Sequence, residues 1–110
     1  MATNFKNVIT KEVGTVRVPA YTAPGSTKTT IIGISIANIT SSMVSCSLLI
    51  GDGDGSAVGY YFKDVPLAPN STLKPIGKGE KIVLEAGDTL FVEANKTDAL
   101  DVITSLVEIV

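Results

Sequence analysis

Apolar residues alternate with polar ones in short runs along most of this chain, and the runs end at Gly, Pro, Asn, Asp and Ser. A period of two places successive side chains on opposite faces of a strand, whereas no stretch carries the 3.6-residue stripe of an amphipathic helix. The pattern predicts an all-β domain. Its first run covers residues 13–20, with Val16 and Val18 set against Thr15 and Arg17, and it closes at Pro19 and a turn over 23–26. The run at 29–39 puts Ile32, Ile34 and Ile36 on one predicted face and the small residues Gly33, Ser35 and Ala37 on the other. A turn at 40–42 leads into a run at 43–51, and the two runs read as a β-hairpin.

Residues 51–56 form a glycine- and aspartate-rich loop, followed by a predicted strand at 58–65. Pro66, Pro69 and Asn70 stop that strand. Residues 71–76 read as a short strand that Pro75 assigns to an edge, and Gly77, Lys78 and Gly79 turn the chain again. Ile82 and Leu84, the turn Glu85-Ala86-Gly87-Asp88, and Leu90, Val92 and Ala94 read as strand, turn, strand. After a loop at 95–98, the final run is apolar on both parities, with Ile103, Val107 and Ile109 on one and Leu100, Val102 and Leu106 on the other. One core covers only one parity. The other is therefore expected to meet a neighbouring subunit, with Leu100, Val102 and Leu106 as candidate interface residues. Seven or eight strands make a single antiparallel β-sandwich, jelly-roll or immunoglobulin-like, over residues 13–110. Residues 1–12 read as an N-terminal arm or a short edge strand.

Composition adds a reason to expect assembly. The 110 residues are 45% hydrophobic and only 18% charged, below the roughly 25% charged residues of an average soluble domain, and mean hydropathy is +0.35. A formal net charge of -2 with scattered lysines argues against nucleic-acid binding. No segment reaches the ~18 consecutive apolar residues of a membrane span. The first residues lack the apolar core of a secretory signal, so synthesis in a cytoplasm is expected. Cys46 is the single cysteine and continues the apolar row Val44, Cys46, Leu48, Ile50, which fits a buried small hydrophobe.

Chemistry is scarce. The chain contains no histidine, which removes the commonest general base and the commonest metal ligand. No catalytic residue, cofactor or metal is expected. Glu80, Glu85, Asp88 and Glu93 are carboxylates in number, yet few aromatic residues are available to line a sugar cleft. Asp52, Asp54 and Ser56 begin with the spacing of a calcium loop, but Ala57 and Lys63 stand where its glycine and closing glutamate belong. The string Gly25 to Thr29 lacks the glycine that a phosphate loop needs before its lysine, and no helix follows. Three Asn-x-Ser/Thr sequons, at Asn38, Asn70 and Asn95, fall at strand ends or turns, where these residue types bond to backbone. Tyr60, Tyr61 and Phe62 concentrate the aromatic content. Alternation puts Tyr60 and Phe62 on one face and Tyr61 on the other, with Tyr60 and Tyr61 as further interface candidates.

Taken in order, Phe5-Lys6-Asn7, Val13-Gly14, Tyr21-Thr22-Ala23-Pro24, Ile32 to Asn38, Tyr61-Phe62-Lys63-Asp64-Val65-Pro66 and Leu84-Glu85-Ala86-Gly87-Asp88 span nearly the whole chain. In this order they are similar to small β-sandwich structural proteins of tailed bacteriophage virions. The resemblance implies a virion component, foremost a capsid decoration or cement protein that bridges subunits of the major capsid protein and forms a homo-oligomer, with a trimer favoured. Tail, neck or fibre components belong to the same resemblance. A host-surface binding module using residues 51–56 and 60–62 is a reading of a different class.

Overall fold

β-branched and aromatic residues in alternation favour a pleated, half-buried surface, and the chain forms strands wherever that alternation holds. The computed structural model describes residues 2–52, 57–76 and 81–110. In chain order the strands are β1 (Thr3–Val13), β2 (Val18–Thr22), β3 (Lys28–Asn38), β4 (Val44–Gly51), β5 (Val58–Leu67), β6 (Thr72–Leu73), β7 (Ile82–Leu84), β8 (Thr89–Ala94) and β9 (Leu100–Ile109). One sheet has the order β1-β9-β3-β6, with β7 also paired to β3, and the other has the order β2-β8-β4-β5. All the pairings are antiparallel.

Because β6 and β7 share the same edge of β3, they occupy one strand position, and the sandwich has eight. Counted that way, the first position pairs with the eighth, the second with the seventh, the third with the sixth and the fourth with the fifth. This is a long hairpin rolled into two facing sheets, the jelly roll. The immunoglobulin alternative pairs its strands differently. The predicted hairpin of residues 29–39 with 43–51 does not form: β3 and β4 lie in opposite sheets. The same holds for β7 and β8, so both short turns carry the chain over the core instead of doubling it back.

Two motifs at these crossings hold each other. In the 85–88 turn Asp88 N–H donates to the Glu85 carbonyl at 2.9 Å, and Gly87 takes φ 87°, the positive value that the third residue of a type II turn requires. Gly87 N–H donates to the Ala23 carbonyl, and Ala23 N–H donates to the Asp88 carbonyl, each at 2.9 Å. The Tyr-Thr-Ala-Pro and Leu-Glu-Ala-Gly-Asp segments thus form one structural unit, closing one end of the β2–β8 ladder.

Asn38 closes a second crossing. Its side-chain amide donates to the carbonyls of Ser42, Leu67 and Ala68 at 2.9 to 3.1 Å, and its Oδ1 accepts from the Thr40 N–H and hydroxyl. Asn95 plays a smaller version of this role, its Oδ1 accepting from Ser45 N–H at 2.9 Å. Two of the three sequon asparagines therefore bond to backbone through their side chains, as their positions beside turns predict.

Bulges overturn two parity readings. Pairing with β9 shifts between Ile31 and Gly33, so Ile31 is fully buried while Ile32 is 43% exposed. The predicted stripe of Ile32, Ile34 and Ile36 is really Ile31, Ile34 and Ile36. On β5, Leu49 pairs with Tyr60 and Leu48 with Phe62, leaving Tyr61 as an extra residue. Tyr60 and Phe62 consequently face opposite sides. A second irregularity follows at Asp64, whose φ is 50° and whose N–H donates to the Ser47 hydroxyl. Residues 1–12 differ from a short edge strand as well, since β1 spans eleven residues along the full length of β9.

Candidate interaction surface

The last strand determines which surface is free. Leu100, Val102 and Leu106 are fully buried and pack with Ile31, Ile36, Leu84, Leu48 and Val92 between the sheets. The expectation that these three form an interface is therefore corrected: they are core. The opposite parity of β9, carrying Ile103, Val107 and Ile109, faces outward. Alternation showed two apolar faces on this strand, but which of them meets the second sheet depends on long-range packing that alternation does not encode.

Register places further apolar residues beside them. Phe5 lies across from Val107 and Ile9 from Ile103 on β1, and Thr30 lies between Val107 and Val83. Phe5 is 76% exposed, Ile9 64%, Val83 61% and Ile103 46%. Between the apolar rows runs a row of small or polar residues, Asn7, Ser105 and Gly33. With a rise of about 3.3 Å per residue and strands about 4.8 Å apart, the β1-β9-β3 face covers on the order of 450 Å². The apolar residues occupy part of that face, on either side of the Asn7-Ser105-Gly33 row, and clustered exposed apolar residues of this kind are candidates for an interaction site.

The outer face of the other sheet is built differently. Its apolar row, Pro19, Phe91, Leu49 and Tyr60, lies beneath cationic side chains: the Arg17 guanidinium is 5.8 Å from the Phe91 ring centre and the Lys63 ammonium 5.3 Å from that of Tyr60. Cations over aromatic faces are attracted to the ring quadrupole, and their aliphatic stems cover apolar surface. Leu49, between Phe91 and Tyr60 in this row, is 1% exposed. Tyr60 remains half exposed beneath Lys63. Tyr61 sits at the open end of the sandwich, where it lines a groove of about 450 Å³ with Phe62, Val65, Leu73 and Pro75. The two tyrosines proposed from sequence as contact residues thus reach the surface but do not share a site with β9.

A buried polar cluster ties β1 to the core. Glu108 shares the inward parity of β9 and is 4% exposed. Its carboxylate accepts from the Tyr21 hydroxyl at 2.6 Å and pairs with the Lys6 ammonium at 3.0 Å, while the Tyr21 and Thr29 hydroxyls bond at 2.8 Å. Tyr21 and Lys6 hold the Glu108 carboxyl below the usual carboxylate range, against the opposing effect of burial. Burial, reinforced by the Glu108 hydrogen bond, pushes the Tyr21 phenol from 10.0 up to about 12. Burial also pushes the Cys46 thiol up, to about 11.

Both limbs of the pH–stability curve follow. Folded Glu108 holds its proton more weakly than the unfolded chain does, so its contribution is full above the unfolded pKa of about 4.3 and is lost as pH falls through the folded value. Cys46 and Tyr21 hold their protons more tightly when folded. Their contributions are full below their unfolded values and disappear as pH rises through about 11 and about 12. Urea midpoints measured across pH are expected to form a plateau with a fall on each side. Glu108→Gln should flatten the acid side. Tyr21→Phe should remove the upper part of the alkaline fall, leaving the part due to Cys46, and should also reduce the acid limb, because Tyr21 is the largest cause of the lowered Glu108 carboxyl.

The remaining chemical candidates are spread apart. Asp88 Oδ2 accepts from Glu85 N–H at 3.0 Å, and Glu93 lies 4.0 Å from Arg17; Glu80 lies outside the described residues. Asp52 is described, but residues 53–56 of the calcium-like spacing are not, and the predicted turn at 77–79 is likewise outside the described residues. Among the described residues no group of three or more His, Cys, Asp or Glu side chains could hold a metal ion. The segment resembling a phosphate loop runs straight into β3 at Lys28.

No family model and no curated protein matches this chain. Among solved structures, 96% of the chain superposes on 32% of a chain in the structure of infectious bursal disease virus, Gt strain, at 9% sequence identity and a TM-score of 0.47. The protein thus spans about a third of that chain's length.

Proposed function

We propose that this protein is a non-catalytic structural subunit of a phage virion, acting as a capsid decoration or cement protein through the outer face of its β1-β9-β3 sheet. The observation that carries the reading is the exposed apolar surface of Phe5, Ile9, Ile103 and Val83. Covering such a surface releases water from apolar area at about 25 cal/mol per Å², and an array of identical sites turns modest contacts into strong retention. The resemblance of its ordered sequence motifs to structural proteins of tailed phages is what points to the virion as the setting. The jelly roll is used by viral capsid domains, and also by lectins and cupins, so it is compatible with the reading without selecting it.

In this role the partner is the major capsid protein, and the chain stabilises the head by bridging adjacent subunits. No cofactor, nucleic acid or membrane takes part. The same face would serve a tail, neck or fibre component, and the position of the chain's density on an imaged virion separates these placements. The direct test adds purified chain to expanded capsid shells and follows its sedimentation. Saturable retention with the shells is the expected result; a chain left in the supernatant at every concentration overturns the decoration reading.

A further inference from the structure

The sandwich has four strand-position edges, and three of them carry features that oppose further pairing. Strand β2 is five residues long, contains Pro19 and shifts register beside it. Strand β5 contains Pro66 and two register shifts. The β6/β7 edge consists of pieces of two and three residues. Short strands, prolines and bulges are the usual protections of exposed sheet edges.

Strand β1 differs. From Thr3 to Thr10 its register with β9 is unbroken, this stretch contains no proline, and among the described residues no strand pairs with its other side. Ala2 and Val110 exchange both backbone hydrogen bonds, N–H to O at 3.2 and 2.9 Å. Even-numbered residues of β1 therefore direct their N–H and C=O groups to β9, while Thr3, Phe5, Asn7 and Ile9 direct theirs to the free edge.

We infer that this edge pairs with β1 of a second copy, antiparallel about Asn7. The sequence on either side of Asn7 is complementary to itself in that register. Phe5 faces Ile9 of the second copy on the outer surface, twice over. Lys6 faces Val8, Asn4 faces Thr10, and Asn7 faces Asn7, so no like charges are opposed. Centring the pair one residue earlier would set Lys6 against Lys6, a destabilising arrangement. The Lys6–Glu108 ion pair anchors the strand at the same point.

The pairing deepens the assembly role and rests on it in one respect. The two-fold axis runs perpendicular to the sheet, so the two outer faces point the same way and form one continuous surface with twice the apolar residues of a single copy. The occupant is a second copy of this chain and the closed state is a dimer, not the trimer expected from the resemblance.

The test uses the full-length chain without capsids, which keeps its outcome separate from that of the decoration reading. Light scattering should give twice the 11.4 kDa chain mass. In the hydrogen-bonded pair the Asn7 α-carbons lie about 5.5 Å apart, within disulfide reach, and Cys46 is fully buried. Asn7→Cys should therefore give a disulfide-linked dimer on a non-reducing gel, whereas Lys11→Cys should not. Asn7→Pro keeps every hydrogen bond to β9, removes the free-edge donor and places its ring against the incoming strand, and should weaken dimerisation by at least about tenfold. A monomer at high concentration, a trimer, or cross-linking of Lys11→Cys as efficient as that of Asn7→Cys would each overturn the pairing.

Discussion

Leu106→Ala is expected to destabilise the fold by about 2–5 kcal/mol, the range for truncating a buried leucine where the surroundings only partly collapse. Ile103→Ala, three residues earlier on the same strand, should cost less than about 1 kcal/mol, because Ile103 is 46% exposed and leaves no cavity. Leu106 lies on β9 between Lys6 of β1 and Ile31 of β3, so its loss opens a void at the centre of the sheet. Equilibrium urea unfolding of the two variants measures the difference. Equal costs would contradict the division of β9 into a core face and an outer face, and a larger cost for Ile103→Ala would reverse it.

The contrast also shows how much the chain discloses before it folds. Alternation locates the strands well, because a pleated backbone converts a period of two directly into two faces. The edge position of residues 71–76 follows from Pro75 and is what β6 shows. Faces are less legible wherever a bulge intervenes. One extra residue at Ile32 reverses every later parity on β3, and one at Tyr61 reverses it until the second irregularity at Asp64 restores it; the energy that favours each bulge comes from packing partners distant in sequence.

Connectivity is less legible again. The turns at 40–42 and 85–88 look like hairpin turns because local chemistry specifies a change of direction, not the sheet in which the next strand lands. Jelly-roll pairing joins the first position to the eighth across nearly the whole chain, and no local signal encodes that. For the candidate surface, sequence chose Leu100, Val102 and Leu106, the parity of β9 that the core buries. Phe5 and Ile9 do not stand out in a segment that reads as an arm or a short edge strand. The signal was present in Phe5, Asn7 and Ile9 on one parity, and the neighbouring Val8 obscured it.

Ile103→Asp carries the second large effect. The carboxylate stays in water in the isolated chain, so the loss of stability should be about 1–2 kcal/mol, from the half-buried apolar contacts and the poor strand propensity of Asp, and the chain should remain folded. At an interface the same substitution removes about 2 kcal/mol of apolar burial and adds the cost of desolvating a charge. Together these lower affinity by roughly a hundredfold or more. Lys63→Asp, on the outer face of the opposite sheet, changes charge without touching the β1-β9-β3 patch and should leave retention near that of the unaltered chain.

Sedimentation of these two variants with expanded capsid shells, alongside unfolding curves for both, tests the central claim most directly. The account predicts that Ile103→Asp folds normally and remains in the supernatant while Lys63→Asp pellets with the shells. Undiminished retention of a folded Ile103→Asp protein would contradict it.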